Sequence, residues 1–354
     1  MKQKSVIFLA IVAIGILLLT HRTGQWSANA VSLRARPDLP QGVFVARVYY
    51  DSITTLDELA AYDLWEFNDL ERNYVLISLD SHEFLDLESQ GWRLEVDKEQ
   101  TANLTRIVPP FSTGYRTVEE MHAALRQLNH QHPVLTELVT YGQSTCLAKR
   151  GCTTLGGEIL AGHELLALRI SNETVAGTST VVNSTITGGE KPIFFLLANI
   201  HAREIATTEI AMRLIDHLLL NYGQDSDVTA IVDWHEIWII PTANPDGHWL
   251  VELGAHADYD QGAFFQRKNA NLDANNDGQS DCLFWPPATN WQYGVDLNRN
   301  HAYAWGQDGA SDDPCSQTYL GPEPASENEV YALQSLVQAL IPDQRGEGHS
   351  DAAP

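Results

Sequence analysis

Basic residues are scarce in this sequence: 22 Lys and Arg stand against 46 Asp and Glu, a formal charge of -24. A chain so acidic repels phosphate backbones and anionic lipid headgroups, so nucleic acid is not an expected partner. Cysteine is limited to Cys146, Cys152, Cys282 and Cys315, and no C-x-x-C pair supports a zinc site of four thiolates. No internal repeat is found. The H-E-x-x-H helix motif is missing too: "HELLA" at His163 has Ala167 where the second His must stand, in a strand-like pattern. His163 and Glu164 are therefore read as surface residues entering that strand.

What is present suits a globular protein of one large core or two domains: 354 residues, 44% of them apolar. Residues 1–30 have two lysines, an apolar stretch from Ser5 to Thr20 and a small-residue site at Ala28-Asn29-Ala30, the layout of a secretory signal peptide. An uncleaved anchor is the rival reading, although the stretch is short for the ~20 residues a span needs. Export with cleavage is the expectation, to a secreted or periplasmic location without stable membrane association afterwards. Four cysteines in an exported chain favour disulfides over thiol chemistry. Three pairings are compatible with the sequence; a local Cys146–Cys152 loop with a longer Cys282–Cys315 link is the most economical.

"GVFVARVYYD" and "YVLISLD" read as strands with a helix over "TTLDELAAYDLWEF" between them, followed by a helix at "SHEFLDLESQG" and a strand at "WRLEVDKE". Residues 31–105 thus read as a small α+β domain, propeptide-like or a binding module. Pro109-Pro110 and Gly114 mark a boundary before the helix "TVEEMHAALRQLNHQ". Strand and helix patterns then alternate: "ELLALRIS", "KPIFFLLANI", a helix near 204 to 220, "HEIWIIPTAN", and a helix near 326 to 340. The alternation predicts, for residues 106–354, an α/β fold with a mixed, mainly parallel sheet and helices on both faces.

"PIFFLLANI" has the continuous apolar character of a central strand, so His201 falls at its C-terminal end and Glu204 opens the next helix. Ligands of α/β sheets sit at that edge. An imidazole and a carboxylate with two residues between them across such a turn can converge on one Zn2+, although H-x-x-E alone is a weak signal. Arg203 would lie beside the cleft.

Further along, "IIPTANPDGHW" ends a strand in Asn244-Pro245-Asp246-Gly247, "FFQRKN" supplies Arg267, and "YGVDLNRNHAYAWG" supplies Asp296, Asn298 and Arg299. From about Gly114 to about Ile341 the sequence closely resembles the zinc carboxypeptidases of the carboxypeptidase A type, with H-x-R-E, N-P-D-G and D-x-N-R-N in the family's order. The resemblance implies His201 and Glu204 as two of three zinc ligands and Arg267 as the arginine that polarises the scissile carbonyl. It implies Asn298 and Arg299 as the clamp on a substrate's terminal carboxylate, a task that suits the planar guanidinium fork. Arg203 resembles a neighbouring subsite residue, and Asp296 the carboxylate that orients the first zinc His. The implied partner is a peptide or protein with a free C-terminus, and a monomer is expected.

The resemblance also places Cys315 as half of a disulfide with Cys282. In the loop between them, Asp273, Asn275, Asp277 and Gly278 match the start of a calcium loop, so Ca2+ stands beside Zn2+ as a candidate ion. Phe284 occupies the closing Glu position, and a solvated Asn/Asp-rich turn is the duller reading. A third zinc ligand, a tyrosine and the glutamate general base cannot be placed; His349 stands in a Gly/Asp/Pro-rich stretch with no apolar run before it. The expectation is a zinc carboxypeptidase in C-terminally truncated form with low activity by itself. The rivals are a non-catalytic peptide-binding remnant and an amidase or peptidase of the same fold.

Overall fold

The computed structural model describes residues 39–341 apart from 41, 60–61, 105–110, 112–113, 183–184, 256–260, 286, 288–290 and 308. The expected signal peptide, the Pro109-Pro110 boundary and His349 lie outside these. Everything described except Leu39 belongs to the unit Pro40–Pro354.

Residues 44–104 have a sheet of their own. Strands β1 (Phe44–Tyr49), β2 (Asp63–Asp69), β3 (Tyr74–Leu79) and β4 (Arg93–Val96) pair antiparallel in the order β2-β3-β1-β4. Helix α1 (Ser81–Ser89) starts where Asp80 accepts the N–H groups of His82 and Glu83, and the Glu83 carboxylate accepts Asp80 N at 2.9 Å. Those are the two reciprocal bonds of a capping box. It buries Phe84 against Phe44, with ring centroids 5.8 Å apart. Helix α2 (Lys98–Leu104) follows β4.

The helix expected over 54–67 is corrected. A 3-10 turn covers Ile53–Leu59, and Asp63–Asp69 is a strand. Pairing with β3 satisfies its backbone, and Trp65 Nε1 donates to Ser78 Oγ across the pair at 2.7 Å. Cross-strand partners override the local helical tendency.

Helix α3 (Val118–Gln131) opens on a second capping box, Thr117 with Glu120. It leads into β5 (Thr136–Gln143), the short helix α4 (Thr145–Ala148), and two two-residue strands, β6 (Cys152–Thr153) and β7 (Ile159–Leu160), that pair with each other. Then come β8 (Glu164–Ile170), the hairpin β9 (Thr180–Val182) and β10 (Thr185–Thr187), and β11 (Ile193–Leu197). Helices α5 (Ile205–Asn221) and α6 (Ser226–Trp234) precede β12 (Glu236–Ile240), and α7 (Pro245–Ala255) and α8 (Asn328–Leu340) follow it.

The larger sheet has the order β11-β12-β8-β5 and is mixed. Only β11/β12 is parallel; β12/β8 and β8/β5 are antiparallel, so among the described strands "mainly parallel" is corrected to one interface in three. The physical cause is connectivity. A strand–helix crossover returns a parallel neighbour, here through α5 and α6, whereas β5 reaches β8 through a knuckle closed by Cys146–Cys152 that reverses the chain.

Helices cover both faces, as period-two burial dictates. Leu166, Leu168 and Ile170 of β8 with Ile237 and Ile239 of β12 pack on α3, α5 and α6. Ala167, Trp238 and Ile240 point the other way, onto Leu333, Leu336 and Leu340 of α8. Burying one such aliphatic side chain is worth about 1.5–3 kcal/mol, against about 1 kcal/mol net for a ladder hydrogen bond. Side-chain burial therefore sets which strands are central. No helix among the described residues is long and apolar enough to cross a membrane.

Candidate active site

The turn that carries His201 and Glu204 lies where β11 ends and α5 begins. Ala198 N donates to Ile240 O at 2.9 Å, and Ala202 N then donates to Arg267 O at 3.0 Å, a partner off the sheet. Leaving the ladder at that point turns His201, Arg203 and Glu204 out at the sheet's C-terminal edge.

His201 Nδ1 stands 2.7 Å from Glu204 Oε1. On its other side Nε2 faces Asp296 Oδ1 at 3.6 Å, too far for a hydrogen bond, and this buried nitrogen has no hydrogen-bond partner. Asp296 is fully buried. Its Oδ2 takes a pair of contacts from Arg267, Nε at 3.1 Å and a terminal guanidinium nitrogen at 3.1 Å. Burial works to raise the Asp296 pKa, but Arg267, His201 and Arg299 outweigh it and hold the carboxyl below its usual range. Glu204 follows the same pattern: burial opposes ionisation, while His201, Arg267 and Arg203 prevail and lower its pKa.

Asp296 also caps its own turn, accepting Asn298 N at 3.0 Å, and its N–H donates to Tyr319 O at 2.9 Å. That turn, the 3-10 segment Leu297–Arg299, sets Asn298 exposed and Arg299 half-buried, with Arg299 Nε donating to Gly309 O at 2.8 Å. Burial lowers the Arg299 pKa from its ordinary value, against the pull of Asp296. Arg203 reaches away from His201, to Phe265 O at 3.5 Å and Gln317 Oε1 at 3.1 Å. The structure thus gathers His201, Glu204, Arg267 and Asp296 into one cluster, continues it through Asn298 and Arg299, and sets Arg203 on a neighbouring wall.

The N-P-D-G element is a support for this cluster. Gly247 sits so close beneath it that a Cβ there would meet Lys268 O at 2.6 Å and Ala202 Cβ at 2.8 Å. Asp246 is buried and accepts Cys146 N at 2.9 Å. Its other oxygen lies 3.0 Å from His163 Nδ1, so the surface placement expected for His163 is corrected: the ring is buried against α7.

Sequence reasoning missed several supporting residues. Gln292 Oε1 accepts Arg267 N at 2.7 Å and Lys268 N at 3.2 Å. Lys268, fully buried, donates from Nζ to Pro314 O and Ser316 O, both at 2.8 Å, and so holds the loop that supplies Gln317 and Tyr319. Burial pushes its pKa down to about 7. Asn199 stands in the left-handed region at φ 52°. An Asn between an apolar strand and a His was the one available signal, because Asn tolerates that conformation.

The disulfides are Cys146–Cys152 and Cys282–Cys315, the economical pairing. The calcium expectation is not supported. Among the described residues no group of three or more His, Cys, Asp or Glu side chains is placed to hold an ion. Asp273 instead spends its oxygens on the N–H groups of Asp277 and Gly278, both at 3.0 Å, as a solvated turn does.

An imidazole nitrogen and a carboxylate oxygen are both donors that zinc accepts. The His201 imidazole, 12% exposed, sets one nitrogen on the Glu204 carboxylate and turns the other toward the buried Asp296, the kind of partner that orients a zinc-binding His. The pair suits the ion and would contribute two of the three protein ligands that a catalytic zinc takes.

The chain is 26% identical over 267 residues to carboxypeptidase A2 of Mus musculus, covering 75% of this chain and 50% of that one. It is 28% identical over 286 residues to zinc carboxypeptidase A 1 of Anopheles gambiae, covering 80% and 51%. The chain therefore spans about half the length of the curated relatives it matches. The crystal structure of carboxypeptidase A from Helicoverpa armigera superposes with a TM-score of 0.57 at 21% identity, over 84% of this chain and 66% of that one, a likeness of fold. The zinc carboxypeptidase profile (peptidase M14) matches residues 121–347, a span that holds every residue of the cluster, and this chain belongs to the zinc carboxypeptidase family.

Proposed function

We propose that these residues form the substrate-facing half of a metallocarboxypeptidase site that removes the C-terminal residue of peptides or proteins. The supporting observation is His201, with Nδ1 on Glu204 at 2.7 Å and Nε2 toward the buried Asp296. Asp296 faces Nε2 across 3.6 Å, so Nδ1, on the Glu204 side, is the nitrogen that would meet the ion. Zinc bound there would supply Lewis acidity and an activated water.

The chain's own residues do the rest of the binding. Arg299 and Asn298 receive the terminal carboxylate, and Arg203 borders the adjacent subsite. Arg267 leaves one oxygen of Asp296 to donate to the scissile carbonyl, so its charge meets the negative charge that develops on that oxygen. His201 and Glu204 would supply two of the three protein ligands that a catalytic zinc takes. Two disulfides suit an oxidising compartment, in keeping with export, and residues 31–105 would act as a pro-segment.

The test is release of single C-terminal residues from peptides by the purified protein, with and without added zinc and chelator. Chelator-sensitive release, lost in His201→Ala and on C-terminally amidated peptides, is expected. Peptide binding without release under any zinc condition would sink the enzymatic reading in favour of a binding remnant. Equal cleavage of amidated peptides would remove the carboxylate clamp.

A further inference from the structure

Asn199 links the end of β11 to the turn of His201 and Glu204, is 2% exposed, and adopts φ 52°. A residue with a Cβ pays for that conformation in steric strain of about 1 kcal/mol or more per residue, so the surroundings must hold it there. They do so through every polar atom of its side chain. Nδ2 donates to the carbonyl oxygens of His201 at 3.1 Å and Ala202 at 3.0 Å. Those two acceptors settle the amide's orientation, since the reverse would set Oδ1 against two carbonyls. Oδ1 accordingly accepts from Thr242 Oγ1 at 2.8 Å and from His248 Nδ1 at 2.8 Å, so His248 bears its proton on that nitrogen. The backbone N–H of Asn199 donates to Thr207 Oγ1 at 3.0 Å, and that hydroxyl donates to Glu204 O at 2.7 Å.

One side chain thus grips the backbone of His201, and the same residue reaches Glu204 through Thr207. Its anchors are themselves fixed. Thr242 is buried just after β12. His248, on α7, is 1% exposed, with Phe111 at a ring distance of 5.7 Å and its Nε2 3.3 Å from Arg116 O and 3.8 Å from Glu252 Oε1.

We propose that Asn199, anchored by Thr242 and His248, is the positioning residue that sets the separation and aim of His201 and Glu204. It adds the rigidity of β12 and α7 to a turn otherwise tethered by Ala202 N on Arg267 O and Asn244 Nδ2 on Ile200 O. The inference deepens the metal reading of this site and rests on it for its consequence, not for its geometry.

The experiment is amide hydrogen exchange over residues 198–207 of the full chain without metal, alongside zinc titration and thermal unfolding. Asn199→Gly keeps the backbone conformation and deletes the grip; Asn199→Asp keeps the acceptor and deletes both donations. Exchange at the Ala202 and Glu204 amides is expected to quicken by roughly tenfold or more in both, the loss of two hydrogen bonds, with β8 and β12 at wild-type rates. His248→Phe, which keeps a ring without a donor, should do the same, and His248→Asn, which keeps a donor, should restore protection. Zinc affinity should fall in the same order. Wild-type exchange in Asn199→Gly, or no difference between His248→Phe and His248→Asn, overturns the proposal. If the wild type itself binds no zinc, the metal reading fails while the exchange result still decides this one.

Discussion

Replacing Lys268 by Met should change how stability depends on pH, and the structure sets the size and sign of the effect. The ammonium is fully buried, pairs with no carboxylate within 4.0 Å among the described residues, and meets only the carbonyls of Pro314 and Ser316 and, at 5.6 Å, the Tyr319 ring. Burial lowers its pKa from 10.5 to about 7, with Asp296, Asp313 and Asp281 opposing. Between those values the unfolded chain binds a proton that the folded chain does not, so this group makes stability rise with pH from about 7 to about 10.5. The limiting slope is about 1.4 kcal/mol per pH unit and the full span about 5 kcal/mol. A neutral amine still donates to both carbonyls, so the tether survives deprotonation. Lys268→Met removes the titration. The stability difference, wild type minus variant, should be flat below pH 7 and grow by about 3 kcal/mol by pH 9.5. Urea unfolding at four or five pH values measures it, and with all four cysteines in disulfides no free thiol starts exchange at the alkaline end. Parallel curves for the two proteins across pH 7 to 9.5 would refute the reasoning.

Glu329→Gln should show the opposite sign. Burial, with Asp246 and Glu327 nearby, raises the Glu329 pKa to about 8, so its favourable contribution is present below about pH 4.5 and lost as pH rises through 8. The variant, whose amide oxygen can still accept Thr145 N, should gain on wild type between those values, and a gap independent of pH in urea unfolding would count against it. Removing Cys282–Cys315 by double Ala substitution, which opens a separation of 33 residues, should cost about 3–4 kcal/mol, more than the roughly 2 kcal/mol for the six-residue Cys146–Cys152 loop. Calorimetry of the two double variants gives the order. Asp296→Asn should weaken zinc binding by about 10–100-fold in a titration, the usual cost of losing a carboxylate behind a metal-ligating His. Unchanged affinity would separate Asp296 from the metal site.

Local chemistry was legible where a few residues decide it. The apolar run of β11 and the three-residue step from His201 to Glu204 each specify a feature within one or two turns of chain. The stretch at 54–67 misled for the complementary reason: its helical spacing is real, but β3 offers Asp63–Asp69 better partners from outside the segment. The parallel sheet was overestimated likewise, since strand direction depends on which strand lies alongside, and a single strand does not encode its neighbour.

The sequence by itself determined the residue types of the site, their order and the family they belong to, because these are properties of short motifs. Only the tertiary structure decided that Asp296 would lie behind His201 and hold Arg267, that His163 would be buried on Asp246, and that Lys268 and Glu329 would titrate far from their ordinary ranges. Those outcomes depend on contacts between segments tens to nearly a hundred residues apart and on the exclusion of water around them. Asn199 shows the division within one residue: its tolerance of a positive φ is intrinsic, while its grip on the turn of His201 and Glu204 exists only once Thr242 and His248 arrive beneath it.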